Sequence, residues 1–205
     1  MGFGICVLGY LLTMFDAFAA GIVGWPLLAF GMWKLSSTDK RFRLASAISL
    51  LCTAYPVVIL VSLLGSYSTQ SASYRYIYIS YLFLCAVLHA VYLTLIKEMA
   101  RKNGGENIAL SASMWMIFTL VFYACAVFSV FSPNVMSLEF AEGFVRVVAV
   151  MKYFIGVANL WFLYTCYAKI TTQKQIEKDN AFFAKEKAKE EAKKKKRESE
   201  ESKNA

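Results

Sequence analysis

The chain has 205 residues, of which 58% are hydrophobic and 18% charged, with a mean hydropathy of +0.48 and a formal net charge of +8. Twelve of its 22 Lys and Arg and 8 of its 14 acids fall at or after Lys169, leaving 10 basic and 6 acidic side chains for the 168 residues before it. Soluble domains carry roughly 25% charged residues, so a cytosolic enzyme, a secreted disulfide scaffold and a disordered protein are excluded; the pattern predicts an all-α polytopic integral membrane bundle, 1–168, with a charged tail, 169–205.

The first apolar stretch runs from Gly2 to Trp33 and is interrupted only by Asp16. At 1.5 Å per residue it would be about 48 Å long, too much for one untilted crossing. The leading expectation is a single span over about 9–33. A hairpin of two short helices is the alternative, broken around Gly21, Gly24 and Pro26, where two glycines and a proline weaken the helix. A signal peptide cut after Ala19 ranks last, because no basic residue precedes the apolar run.

Four further stretches reach the roughly 20 residues that a crossing needs: 44–65, 77–96, 108–131 and 144–168. Backbone in lipid must satisfy its own hydrogen bonds, so these are helices. None shows the period-2 alternation of a membrane barrel strand. Pro56 falls midway through the second span and predicts a kink there. Basic residues alternate along the connections: Lys34, Lys40, Arg41 and Arg43, then Arg75 alone, then Lys97, Arg101 and Lys102, then none, then the tail. That alternation makes the first and third connections and the tail cytoplasmic. With five spans, the N-terminus is then outside, the C-terminus is inside, and the expected location is the cell membrane.

Charged groups at membrane depth are costly and serve as candidate sites. Asp16 and Lys152 each lie about 26 Å from the cytoplasmic end of their spans, which permits an ion pair between the first and last helices. His89, the single histidine, stands near mid-membrane and with Arg146 forms a candidate polar relay. Ala17, Ala20, Gly21 and Gly24 form two small-xxx-small pairs, a face for close helix approach. The five cysteines, Cys6 in the first apolar stretch and the others each in a different predicted span, show no C-x-x-C spacing and read as packing residues. Tyr74, Tyr76, Tyr78 and Tyr81 read as an outer aromatic belt, and Trp161, Tyr164 and Tyr167 as the inner one.

The tail is built of Lys, Glu and Ala and suits a solvated helix, whether formed or frayed. Its run Lys193, Lys194, Lys195, Lys196 and Arg197 would draw it to anionic lipid headgroups. It reads as lipid contact rather than nucleic-acid binding. No catalytic motif, metal-ligand spacing or cofactor fingerprint occurs in the sequence. The leading functional expectation is therefore an accessory or scaffold subunit acting through helix–helix association, with itself or another membrane protein. The alternative is a small transporter or channel using Asp16 and Lys152.

Overall fold

The computed structural model describes residues 2–15, 20–65, 72–103, 105–170 and 182. The chain divides into two units, Met1–Ile170 and Thr171–Ala205. Among the described residues every regular element is a helix: α1 Gly2–Thr13, α2 Gly21–Leu35, α3 Phe42–Cys52, α4 Ala54–Leu63, α5 Ala72–Lys102, α6 Glu106–Val135 and α7 Leu138–Lys169. Four stretches are long and apolar enough to cross a membrane: Phe42–Leu63, Ser73–Lys102, Glu106–Val135 and Leu138–Lys169. The all-α membrane bundle is thus the observed architecture.

The leading expectation of one helix over 9–33 does not describe the N-terminal stretch. It folds as two short helices, α1 and α2, packed along each other. Glycine makes that approach close enough to exclude side chains. A Cβ on Gly24 would sit 2.7 Å from the Thr13 backbone nitrogen, and one on Gly31 would sit 2.8 Å from that of Cys6. A Cβ on Gly9 would run into the Leu28 backbone. Burying a second helix against α1 in this way outweighs the continuity of a single long helix, since Gly and Pro already weaken the middle of the run.

The hairpin also sets where α1 begins. A Cβ on Gly2 would meet the Leu35 side chain, and Gly4 faces the Tyr167 ring. The start of α1 therefore lies at the end of the bundle where α2 and α7 finish. A single span would have placed the start of the first helix opposite the end of the last; two antiparallel pieces bring them together. This end also carries Lys34, Lys40, Arg41, Arg43, Arg101, Lys102 and Lys169, and is called the basic end below.

α3 and α4 meet at Thr53, three residues before Pro56. Proline has no N–H to give the Cys52 carbonyl four residues earlier, so the helix is interrupted where the sequence predicts a kink. Buried serines tie α3 to α2: Ser46 Oγ donates to the Ala29 carbonyl at 2.8 Å and Ser49 Oγ to that of Trp25 at 3.0 Å. The central helix is α5, whose Leu88, Leu93 and Ile96 are fully buried. Between α6 and α7, Asn159 Nδ2 donates to Thr119 Oγ1 at 3.1 Å, while the buried Asn159 Oδ1 has no donor.

The long helices overrun their predicted spans. α5, α6 and α7 have 31, 30 and 32 residues, about 45–48 Å each against a hydrocarbon core of about 30 Å. Hydropathy marks only the part in lipid, whereas helical hydrogen bonding continues into the headgroups. The expected connection 132–143 shrinks accordingly to Met136 and Ser137, with Pro133 inside the last turn of α6.

An intramembrane cavity ringed by tyrosines

α1 and α2 contain 12 and 15 residues, about 18 and 22 Å of helix, so neither covers a core of about 30 Å. The spans around them continue beyond the hairpin tip. Beyond the facing ends of α1 and α2 lies a cavity of about 380 Å³, lined there by Tyr10 and Thr13 of α1, by Met14 just after it and by Trp25 of α2. Its walls are Tyr55 and Ile59 of α4, Tyr74, Tyr78, Tyr81, Leu82, Cys85 and His89 of α5, Phe122 and Tyr123 of α6, and Lys152, Tyr153, Ile155 and Gly156 of α7. From Tyr74 to His89 the α5 wall spans 15 residues, about 22 Å of depth.

The aromatic lining is ordered by mutual contact. Tyr55 stacks on Tyr81 with centroids 4.2 Å apart and planes 16° from parallel. The hydroxyls of Tyr55 and Tyr74 share a hydrogen bond of 3.0 Å. Trp25 meets Tyr81 edge to face at 6.1 Å, and its buried indole N–H has no acceptor.

His89 closes the bottom of this wall. Its Nδ1 lies 2.7 Å from the Cys85 carbonyl, which can only accept, so the proton sits on Nδ1. Nε2 then accepts from the Tyr10 hydroxyl at 3.1 Å, while the Tyr123 hydroxyl lies 3.3 Å from Nδ1. The single histidine is thereby satisfied by three helices and fixed in one tautomer. Such a ring positions α1 against α5 and lines the cavity beside the hydroxyls of Tyr10 and Tyr123.

The residues singled out by charge and spacing meet different fates in the fold. Lys152 lines the cavity beside Tyr153. Asp16, its expected partner, lies outside the described residues, as do Ala17 and the Lys193–Arg197 run. Arg146 does not join His89. It projects outward and pairs with Glu142 one turn away at 3.7 Å, both side chains being largely exposed. Gly21 and Gly24 are buried, and Gly24 packs against α1; Ala20 is half-buried just before α2. The glycines of this small-residue face are thus buried within the chain.

The outer aromatic belt needs the same correction. Tyr74, Tyr78 and Tyr81 turn inward and line the cavity; only Tyr76, 70% exposed, faces out. The spacing 74, 78, 81, 85 and 89 is a single helical stripe, and that periodicity is the signal in the residues for a lined cavity. The second site feature hidden from the sequence is a pair of thiols. Cys52 on α3 and Cys85 on α5 are both buried, with their sulfurs 4.0 Å apart. Among the described residues, no three His, Cys, Asp or Glu side chains gather closely enough to hold a metal ion.

At the basic end, Arg41 joins the α2–α3 connection to α5. Its guanidinium pairs with Asp39 at 2.8 Å and with Glu98. The Asp39 carboxylate also accepts from the Arg41 backbone N–H at 2.9 Å. The hydrogen bonds from Arg41 hold the Asp39 carboxyl below the usual carboxylate range.

No family model matches this chain, and no curated protein or solved structure matches it either. The class is set by the fold alone: a helical bundle with four helices long and apolar enough to cross a membrane, an N-terminal pair of short helices and a tyrosine-lined cavity.

Proposed function

We propose that this chain is a ligand-binding multispan membrane protein, a receptor or small transporter that takes a small lipid-soluble molecule into the cavity above the hairpin. The single observation that carries the reading is the cavity itself. Its volume of about 380 Å³ falls within the roughly 300–1,000 Å³ of small-molecule sites, and its mainly aromatic wall with a few polar groups is their usual lining. Lys152 on that wall favours the transporter class among the readings of the sequence. The accessory-subunit reading loses one support, because Gly21 and Gly24 are already packed within the chain. It keeps another, the broad outward face of α6 with Leu110, Ile117, Phe118 and Val121.

The test is native mass spectrometry of the full chain released from mild detergent. The wild type is expected to carry a small lipophilic molecule. Leu82→Trp, which fills the cavity, is expected to lose it while remaining folded. The same adduct on both proteins would defeat the proposal, and a stoichiometric protein companion would return the weight to the accessory reading.

We further infer that the basic end faces the cytoplasm of the cell, with the C-terminal tail on that side and its polybasic run near anionic lipid. Topology reporters inserted after Ser37 and after Ser137 should report opposite sides, the first cytoplasmic. Two cytoplasmic signals, or the reverse order, would refute the orientation.

A further inference from the structure

Cys52 and Cys85 stand 33 positions apart in sequence, yet their sulfurs touch at 4.0 Å. Both side chains are buried, at 0% and 2% exposure. Three features set this pair apart from ordinary packing cysteines. First, the two are on different helices, so a bond between them would tie α3 to α5. Second, Cys85 lies on the wall of the cavity, which gives a small lipophilic reagent a route to a sulfur that bulk water does not reach. Third, Cys52 is the last residue of α3, at the interruption before Pro56, and α4 beyond that joint carries Tyr55 into the cavity. The other cysteines lack this combination: Cys6 approaches the Leu28 carbonyl instead of a second sulfur.

We propose that Cys52 and Cys85 form an oxidisable dithiol, converted to a disulfide by a lipid-soluble two-electron acceptor of the quinone class that enters through the cavity. Both S–H bonds break and one S–S bond forms. Two electrons and two protons pass to the oxidant, whose two carbonyl oxygens become hydroxyls. The sulfurs close from contact distance to the bonded length of about 2.05 Å, a movement that side-chain rotation at a helix interruption can supply. Oxidation pins the α3–α4 joint to α5 and so fixes Tyr55 relative to Tyr74 and Tyr81. Reduction restores the joint. The inference rests on the sulfur contact and stands whether or not the resident ligand of the cavity is itself an oxidant.

The experiment uses the full chain, purified reduced, and a decyl-substituted benzoquinone. Its five cysteines should all react with maleimide in denaturant before treatment and only three after it, with one equivalent of quinol formed per chain. Peptide mapping should recover a Cys52–Cys85 link, and the oxidised protein should melt at a higher temperature. Cys52→Ser and Cys85→Ser should each keep all four remaining thiols under the same treatment. Either serine variant alone suffices if the other does not fold. Five thiols surviving the quinone would overturn the proposal. So would a link through Cys6, Cys125 or Cys166, or thiol loss that persists without Cys52. Loss of the lipophilic adduct in Leu82→Trp reads out separately, so failure of the dithiol and failure of the ligand-binding function are distinguishable.

Discussion

The two halves of the bundle share the same long helices, yet only the half at the basic end contains the α1–α2 hairpin. There, backbone meets backbone at Gly9 and Gly24, buried serines bridge α3 to α2, and α5 is enclosed on several sides. Beyond the hairpin tip the same helices surround a void lined by phenol rings. What separates the halves is chain length more than composition: two helices of about 20 Å occupy one end of a structure about 45 Å long. Close packing is therefore a local achievement of the hairpin, and the cavity is the complement of its shortness.

The comparison breaks most sharply at the hairpin seam. Gly24→Leu must separate α1 from α2, because its Cβ would sit 2.7 Å from the Thr13 nitrogen. A loss of about 3 kcal/mol or more is expected, read as a collapse of the detergent melting curve. Gly143→Leu on α7, where a Cβ would meet nothing within 4 Å, should leave that curve in place. Equal sensitivity at the two glycines would erase the distinction.

The buried polar links come next. Tyr10→Phe leaves His89 Nε2 without its donor and should cost about 1–3 kcal/mol, because a buried unmet acceptor keeps its full desolvation penalty. Thr119→Val alone should cost a similar amount by stranding Asn159. The double change Thr119→Val, Asn159→Leu should cost less than the single one, since it also removes the unmet Asn159 Oδ1. Additive losses would show that the pair contributes no coupling.

Leu82→Phe sharpens the hollow side. Extra volume in a filled core costs about 1–3 kcal/mol, but at the cavity wall the change should stay below about 1 kcal/mol. A large loss there would mean that the space is not available to a ligand. The smallest effect belongs to the rim of the basic end. The Asp39 carboxyl titrates lower in the folded chain than its ordinary value, so its contribution is present above the ordinary carboxylate range and disappears as pH falls through the folded value. Asp39→Asn should remove that contribution at neutral pH, a small loss for a pair at the rim, and should converge with the wild type in acid. An unaltered acid profile would detach Asp39 from it.

Much of this architecture is readable in the residues. Apolar runs and their lengths locate the four long spans, Pro56 locates the interruption, and alternating basic residues separate the two ends. The first 33 residues mislead because they are too long for one crossing and too short for two complete ones. Hydropathy alone cannot tell tilt from a hairpin, and the deciding fact, backbone contact at Gly9 and Gly24, is a pairing between helices. For Tyr74, Tyr78 and Tyr81 the sequence places the residues at one end of α5 but on the wrong side of it, because position along the helix follows from the chain whereas facing follows from neighbours. The sulfur contact between Cys52 and Cys85 depends on how α3 lies against α5, which no spacing within either helix encodes.

The order of synthesis gives the hairpin a further consequence. α1 and α2 are made before α3 and α7, which cover them. Neither short helix can stretch across the bilayer by itself, so the pair must wait near the surface or enter together as a provisional wedge. Its packing is complete only once α7 lies against α1. A chain cut before α7 should thus leave its own beginning accessible to proteases long after the middle helices have become resistant.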